Sequence, residues 1–210
     1  MPVTNNPSRT VEWVVWGGLG LVAVGIFAAF IALRFRPGPL PVYGNMTDFL
    51  LTNQDGHAVS LADFHGKVWI ADAIFTRCPG QCLVMSEHMK ELQAALPADS
   101  PVSLVSFTTD SDFDRPPVLK KYAEHFGARD GCWSFLTGDK TALRQAEIEG
   151  LKLSVVDKPA GQQDSPNDLF IHSEKFVLLD KEGRIRGWYD GQEETAVTTV
   201  AAAAQTLARE

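Results

Sequence analysis

Residues 14–33, VVWGGLGLVAVGIFAAFIAL, run for twenty positions without a charged side chain. Wound as a helix, that run is about 30 Å long, the thickness of a bilayer's hydrocarbon core. Trp13 and Trp16 stand near one end and Arg34 and Arg36 at the other, residue types that anchor a span at its two interfaces. A cleaved secretory signal has a shorter apolar core, roughly 7–15 residues, followed by a small-x-small site. The run here is longer, and the stretch AAFIALRFRPGP at its end offers no such site. We therefore expect an uncleaved anchor with a single transmembrane helix.

The anchor divides the chain. Residues 1–36 carry a net charge of +2, so the other 174 carry −9 of the overall −7. An acidic soluble part argues against nucleic-acid binding, which asks for a basic face. Arg36-Pro-Gly-Pro-Leu-Pro41 resists helix and sheet and reads as a tether. The expected organisation is a tail and anchor over 1–36, a linker over 37–45 and one folded domain over 46–210. No internal repeat is visible, and the alanine run at 201–204 is good helix material.

Within the domain, strand and helix patterns alternate. Residues 48–52 and 57–61 flank Asn53-Gln-Asp-Gly56 as a hairpin, and residues 67–75, KVWIADAIF, suit a buried central strand. Leu83, Met85, Met89, Leu92 and Leu96 recur at helical spacing until Pro97. A strand over 102–107 follows. A helix then opens at Pro116 and closes at Gly127, with Val118, Leu119, Tyr122 and Phe126 on its inner face. Residues 133–136 read as a short strand and 140–148 as a helix. Residues 176–180 and 185–189 form a hairpin, and a helix over 193–208 has Glu193 and Glu194 in its first turn. This order gives an α/β class with a thioredoxin-like fold: a central mixed sheet flanked by helices, with an amino-terminal β-hairpin extension.

The chemistry lies at Cys78-Pro-Gly-Gln-Cys82, where the central strand passes into the first long helix of the domain. A thiol at a helix amino terminus meets unpaired amides and the positive end of the dipole, which favour thiolate. Thiolate attacks disulfides and binds soft metals. Three residues separate the cysteines, one more than in a thioredoxin redox motif, and both sulfurs still face one point. Two thiolates alone make a two-coordinate Cu(I) site or half of a zinc site. Of the five histidines, His172 precedes the hairpin strand at 176–180, in a loop that the thioredoxin arrangement brings to the cysteine helix. A Cys₂His set suits trigonal Cu(I), holds Cu(II) when water or a carboxylate completes the shell, and is compatible with zinc. His57, His65, His88 and His125 read as surface residues.

Four further features invite weighing. Asp72 interrupts the apolar strand six residues before Cys78, either as a partnered structural carboxylate or as a proton-handling acid beneath the thiols. Cys132, beside Trp133, reads as a buried inert thiol. Asp110, Asp112 and Asp114 alternate like part of a calcium loop, but lack its glycine and terminal glutamate and read as a solvated turn. Met85 and Met89 are core at helical spacing, and Met85 is also a candidate soft axial contact to copper.

VWIADAIFTRCPGQC, residues 68–82, resembles the Sco/SenC family, whose members carry an apolar strand, Phe-Thr-x-Cys-Pro and a second cysteine four positions after the first. VSFTTDSDFDRPPVLKKYAEHF, Phe135-Leu-Thr-Gly138 and His172-Ser173 are similar to further family stretches, and the resemblance spans about residues 46–208. It implies a thioredoxin fold that binds copper through Cys78, Cys82 and His172. Such proteins help metallate the CuA site of cytochrome c oxidase, or reduce that site's cysteines beforehand as thiol–disulfide oxidoreductases. The implied partner is the copper-site subunit of the oxidase or another periplasmic copper protein; the sequence leaves the oligomeric state open, with a monomer favoured. Leu83 stands where many relatives have proline, and Ile171 where several have aspartate. By flanking charge alone, Arg9 offset by Glu12 on one side and Arg34 with Arg36 on the other, the far side suits the cytoplasm slightly better, but long following domains translocate largely regardless of charge. The thiol chemistry favours a domain outside the cytoplasm. With no Arg- and Ser-rich transit segment, the expected place is a bacterial inner membrane with the domain in the periplasm.

Overall fold

A computed structural model describes residues 7–34, 38–78, 80–97, 100–163 and 167–210. Part of the expected tether at 35–37, the tail at 1–6 and Pro79 of the cysteine motif lie outside the described residues. The chain divides into two compact units, residues 1–39 and 40–210. The first contains α1, Pro7–Arg34, a helix of 28 residues. Within it Val11–Ile31 is long and apolar enough to cross a membrane, and its side chains are exposed.

The second unit is built on a sheet of eight strands. In chain order these are β1 (Gly44–Asn45), β2 (Leu50–Asn53), β3 (Ala58–Ser60), β4 (Val68–Ile74), β5 (Val102–Thr108), β6 (Trp133–Thr137), β9 (Lys175–Leu179) and β10 (Arg184–Asp190). A separate pair, β7 (Val155–Asp157) and β8 (Phe170–His172), stands outside it. The order across the sheet is β1-β10-β9-β4-β5-β6-β2-β3. β4, β5 and β6 run parallel, while β9 and β10 add antiparallel on one side and β2 and β3 on the other. The mixed sheet and its amino-terminal hairpin are those read from the sequence. β1, two residues long, and the ladder β7–β8, with three-residue strands, escaped that reading because such short strands leave no periodicity to detect.

Alternation along β4 decides which side chains meet which layer, since successive residues point to opposite faces. Val68, Ile70 and Ile74 join one cluster with Met85, Met89 and Leu92 of α2 (Gln81–Ala95), Leu119 and Phe126 of α3 (Pro116–Phe126), and Val200 and Ala204 of α5 (Ala196–Ala208). Trp69, Ala71 and Ala73 face the opposite cluster, with Phe49, Phe64, Leu143 and Leu153. α2 ends before Pro97 as expected, and α3 closes on Gly127, whose left-handed φ of 67° favours a residue without Cβ.

Four details depart from the sequence reading. Leu83 does not face the core; it is 40% exposed in the first turn of α2. On α3 the buried face is Leu119, Ala123 and Phe126, with Val118 and Tyr122 only half-buried. The helix expected over 140–148 is α4, Lys140–Arg144, which widens into a π turn over Gln145–Gly150. α5 begins at Ala196, so Glu193 and Glu194 precede the helix and lie outside its first turn.

Candidate metal centre

The parallel strand β4 delivers the chain to the cysteines. After Ile74 the backbone turns at Phe75, whose carbonyl accepts the Cys78 amide at 3.1 Å, and α2 begins at Gln81. Gly80 provides the cap, its carbonyl accepting the amides of Leu83 at 3.0 Å and Val84 at 3.4 Å. Cys78 and Cys82 are both buried, 9% and 0% exposed, so neither sulfur is fully solvated.

The loop before α2 is held from behind. Asp114 accepts the Thr76 amide at 3.0 Å and the hydroxyls of Thr76 and Thr108. Arg77 donates from Nε and Nη2 to Asp110 at 3.0 and 2.6 Å, and its guanidinium carbon lies 4.3 Å from the Phe113 ring centroid. The acidic run is therefore no solvated turn. Asp110 and Asp114 are 5% and 0% exposed, and only Asp112 faces water. Their work is to brace the loop that presents Cys78, and burial raises the Asp114 carboxyl against the opposing hydrogen bonds from the two threonines.

His172 arrives from β8. The sulfurs of Cys78 and Cys82 and a ring nitrogen of His172 all lie within 4.8 Å of one another, the one such cluster among the described residues. His172 Nε2 is 3.2 Å from Cys82 Sγ. The other nitrogen, Nδ1, is 3.3 Å from the Ser173 carbonyl. The Phe75 ring meets the imidazole edge-on, with centroids 5.7 Å apart and planes at 86°. Leu83 and Ile171, the two positions where the sequence departs from its resemblance, are exposed at 40% and 56%.

The thiols differ in electrostatics. The Cys78 thiol is lowered to about 4, first by a hydrogen bond from Cys82 and then by one from His172, against the cost of burial. Cys82 is pushed up, because it supplies that hydrogen bond and is itself buried. One thiolate and one thiol thus share a proton beside the imidazole of His172. Two soft sulfurs and one borderline nitrogen form a donor set matched to Cu(I).

Asp72 shares its face of β4 with Ile70 and Ile74, toward the cluster that contains both cysteines. It is fully buried, and neither carboxylate oxygen makes a hydrogen bond of good geometry, although the Ser106 hydroxyl lies nearby. Burial raises it from 3.8 to about 7, opposed by the neighbouring Ser106 hydroxyl and by the charge of His172. Other candidates are not brought to the site. Cys132 sits at the start of β6, at the amino ends of the parallel strands, whereas Cys78 follows the carboxyl end of β4. It is half-buried, not buried, with its sulfur 3.7 Å from Arg129 Nη2. His57, His65 and His125 are exposed. His88 is half-buried, and its Nδ1 donates to the Gly191 carbonyl at 2.8 Å. Met85 is fully buried and packs toward Gly191.

Residues 43–208 match the SCO1/SenC family. The chain belongs to that family. It is 36% identical over 181 residues to the SCO1 protein homolog of Bacillus subtilis (strain 168), covering 84% of this chain and 89% of that one. The structure of BsSco, described as a member of the Sco family of cytochrome c oxidase assembly proteins with a disulfide switch, matches with a TM-score of 0.69 at 33% identity. That match covers 80% of this chain and 96% of BsSco. Bradyrhizobium japonicum ScoI, solved with copper bound, shares the fold with a TM-score of 0.66 at 22% identity, over 78% and 99% of the two chains. The thioredoxin-like architecture is thus that of the SCO1/SenC proteins.

Proposed function

We propose that this SCO1/SenC protein is a membrane-tethered metallochaperone that carries copper to the CuA site of cytochrome c oxidase, with Cys78, Cys82 and His172 as the ligands. The observation that carries the reading is the convergence of these three donors within 4.8 Å. Copper is cargo here, so the site must bind it and also release it. Three ligands at the mouth of a strand–helix junction suit transfer, because they leave a coordination position for an incoming client ligand. Loading Cu(I) needs Cys78 as thiolate, which it already is near neutrality, and needs Cys82 to give up its proton. Asp72, buried on the same side of β4 and poised near 7, is the group whose ionised carboxylate we assign to receive it, becoming the carboxylic acid as Cys82 becomes thiolate. The anchor keeps the domain at the membrane, and we place the domain on the periplasmic face of a bacterial inner membrane. The client is the copper-site subunit of the oxidase or another periplasmic copper protein.

The split between the thiols favours a second reading. A nucleophile lowered to about 4 beside a protonated partner is also the arrangement of a thiol–disulfide reductant that would keep a client's copper-binding cysteines reduced. Only the chaperone requires His172. Titrating Cu(I) into the reduced full chain in detergent, against a competing chelator, distinguishes the two. One tight site per chain, weakened about 10- to 100-fold in His172→Ala, supports the chaperone. Binding that ignores His172 leaves the reductant.

A further inference from the structure

His172 reaches the cysteines on a platform that the main sheet does not hold. β7 and β8 pair only with each other, Val155 opposite His172 and Asp157 opposite Phe170. With no ladder to the eight-stranded sheet, this hairpin is placed by the short link Ser173-Glu174 to β9, by the Leu153 amide on the Glu147 carbonyl at 2.9 Å, and by side chains. Arg144, the last residue of α4, gathers them. Its Nη2 donates to Asp157 of β7 at 3.0 Å, and its guanidinium carbon lies 5.4 Å from the Phe170 ring centroid on β8. Phe170 meets Phe75 edge-on at 5.2 Å, and Phe75 in turn meets His172 at 5.7 Å. A continuous chain of packed groups therefore runs from Arg144 to the imidazole.

The other side of Arg144 is equally specific. Nη1 donates at 3.1 Å to Oε2 of Glu147, a carboxylate with no exposed surface. Its second oxygen, Oε1, has no partner. Burying such a group is costly, so Glu147 is kept in place by its bond to Arg144. The π turn Gln145–Gly150, a rare backbone form, sets Glu147 there. Buried carboxylate, guanidinium and hairpin make a clamp whose fixed end is the core.

We propose that Arg144 is a positioning residue for the copper site: anchored on Glu147, it holds the β7–β8 hairpin through Asp157 and Phe170, and so sets where His172 stands over the two thiols. The inference rests on the ligand set proposed above. It assigns no contact between Arg144 and the metal.

The test is a double-mutant cycle in the full chain in detergent, reading Cu(I) affinity by chelator competition. Arg144→Ala weakens Cu(I) binding about tenfold when His172 is present, the usual cost of losing a group that orients a ligand. In a His172→Ala background the same change has no effect beyond about twofold. Arg144→Lys, which keeps the charge but not the fork, recovers binding in part. Should Arg144→Ala fail to fold, Asp157→Ala, at an exposed residue, releases β7 from Arg144 and from Lys140, which pairs with Asp157 at 3.2 Å, leaves Glu147 paired, and gives the same pattern with a smaller effect; Lys140→Ala, which leaves the Arg144 tie intact, does not. A second readout needs no metal: in the copper-free protein the His172 ring NMR signals shift or broaden in Arg144→Ala and Asp157→Ala. Equal weakening in both backgrounds, or unchanged affinity and unchanged His172 signals, overturns the proposal. If the wild type itself binds Cu(I) without regard to His172, the ligand assignment fails separately, and the copper-free signals still decide the role of Arg144.

Discussion

Replacing Asp72 by asparagine removes a charge from the most thoroughly buried carboxylate near the site, and the consequence depends on pH with a definite sign. In the fold this group is raised from 3.8 to about 7 by burial, so the folded state binds its proton more tightly than the unfolded chain does. Stability is therefore highest at low pH as far as this group is concerned. It falls as pH rises from about 4 and levels off once Asp72 is ionised in the fold, above about 7. At about 1.4 kcal/mol for each tenfold change in proton affinity, the full penalty is about 4 kcal/mol, of which about 3 develops between pH 5 and pH 8. Urea unfolding of the reduced, copper-free protein, followed by the fluorescence of the buried Trp69 and Trp133, should show the asparagine variant gaining about 3 kcal/mol on the wild type over that interval. Any fixed cost of burying an amide offsets both ends equally and cancels. Glu147, also raised by burial, to about 8, titrates in both proteins and cancels too. Parallel stability curves for the two proteins would refute the claim that Asp72 is a buried acid raised by its burial.

Two other expectations follow from the bracing and the thiols. Cys78 should be alkylated by iodoacetamide at pH 6 while Cys82 is spared, as peptide mass spectrometry reports, and Cys82→Ala should slow the reaction by removing the hydrogen bond that most lowers Cys78. Equal labelling of the two cysteines would contradict the split. Asp114→Ala strips acceptors from Thr76 and Thr108 behind the cysteine loop and should cost about 3 kcal/mol by urea unfolding, with a loss under about 1 kcal/mol speaking against the brace.

Much of the site was legible because local sequence carries it. A buried apolar strand, a thiol at the following helix start and a second thiol within the first turn fix their own geometry, and Cys78 and Cys82 follow from pattern alone. His172 needed the fold and the family resemblance, since 90 residues separate it from Cys82. Asp72 stood out as a carboxylate in a strand otherwise able to be buried on both faces. The acidic run misled because spacing shows neither burial nor partners: Asp110 finds Arg77 and Asp114 finds Thr76, 33 and 38 positions apart. The clamp on Arg144 was equally hidden, for it depends on a π turn and a three-residue ladder, neither of which leaves a periodic trace. Leu83 faces solvent because the buried face of α2 runs through Cys82, Met85, Ser86, Met89 and Leu92, and Leu83 lies off it with Glu87 and Lys90.

X-ray absorption at the copper edge of the Cu(I)-loaded full chain tests the account most directly. Two sulfur scatterers and one imidazole nitrogen per copper, with the nitrogen lost in His172→Ala, is the result the three-donor site predicts. A spectrum of sulfur alone, the same in wild type and His172→Ala, would contradict it.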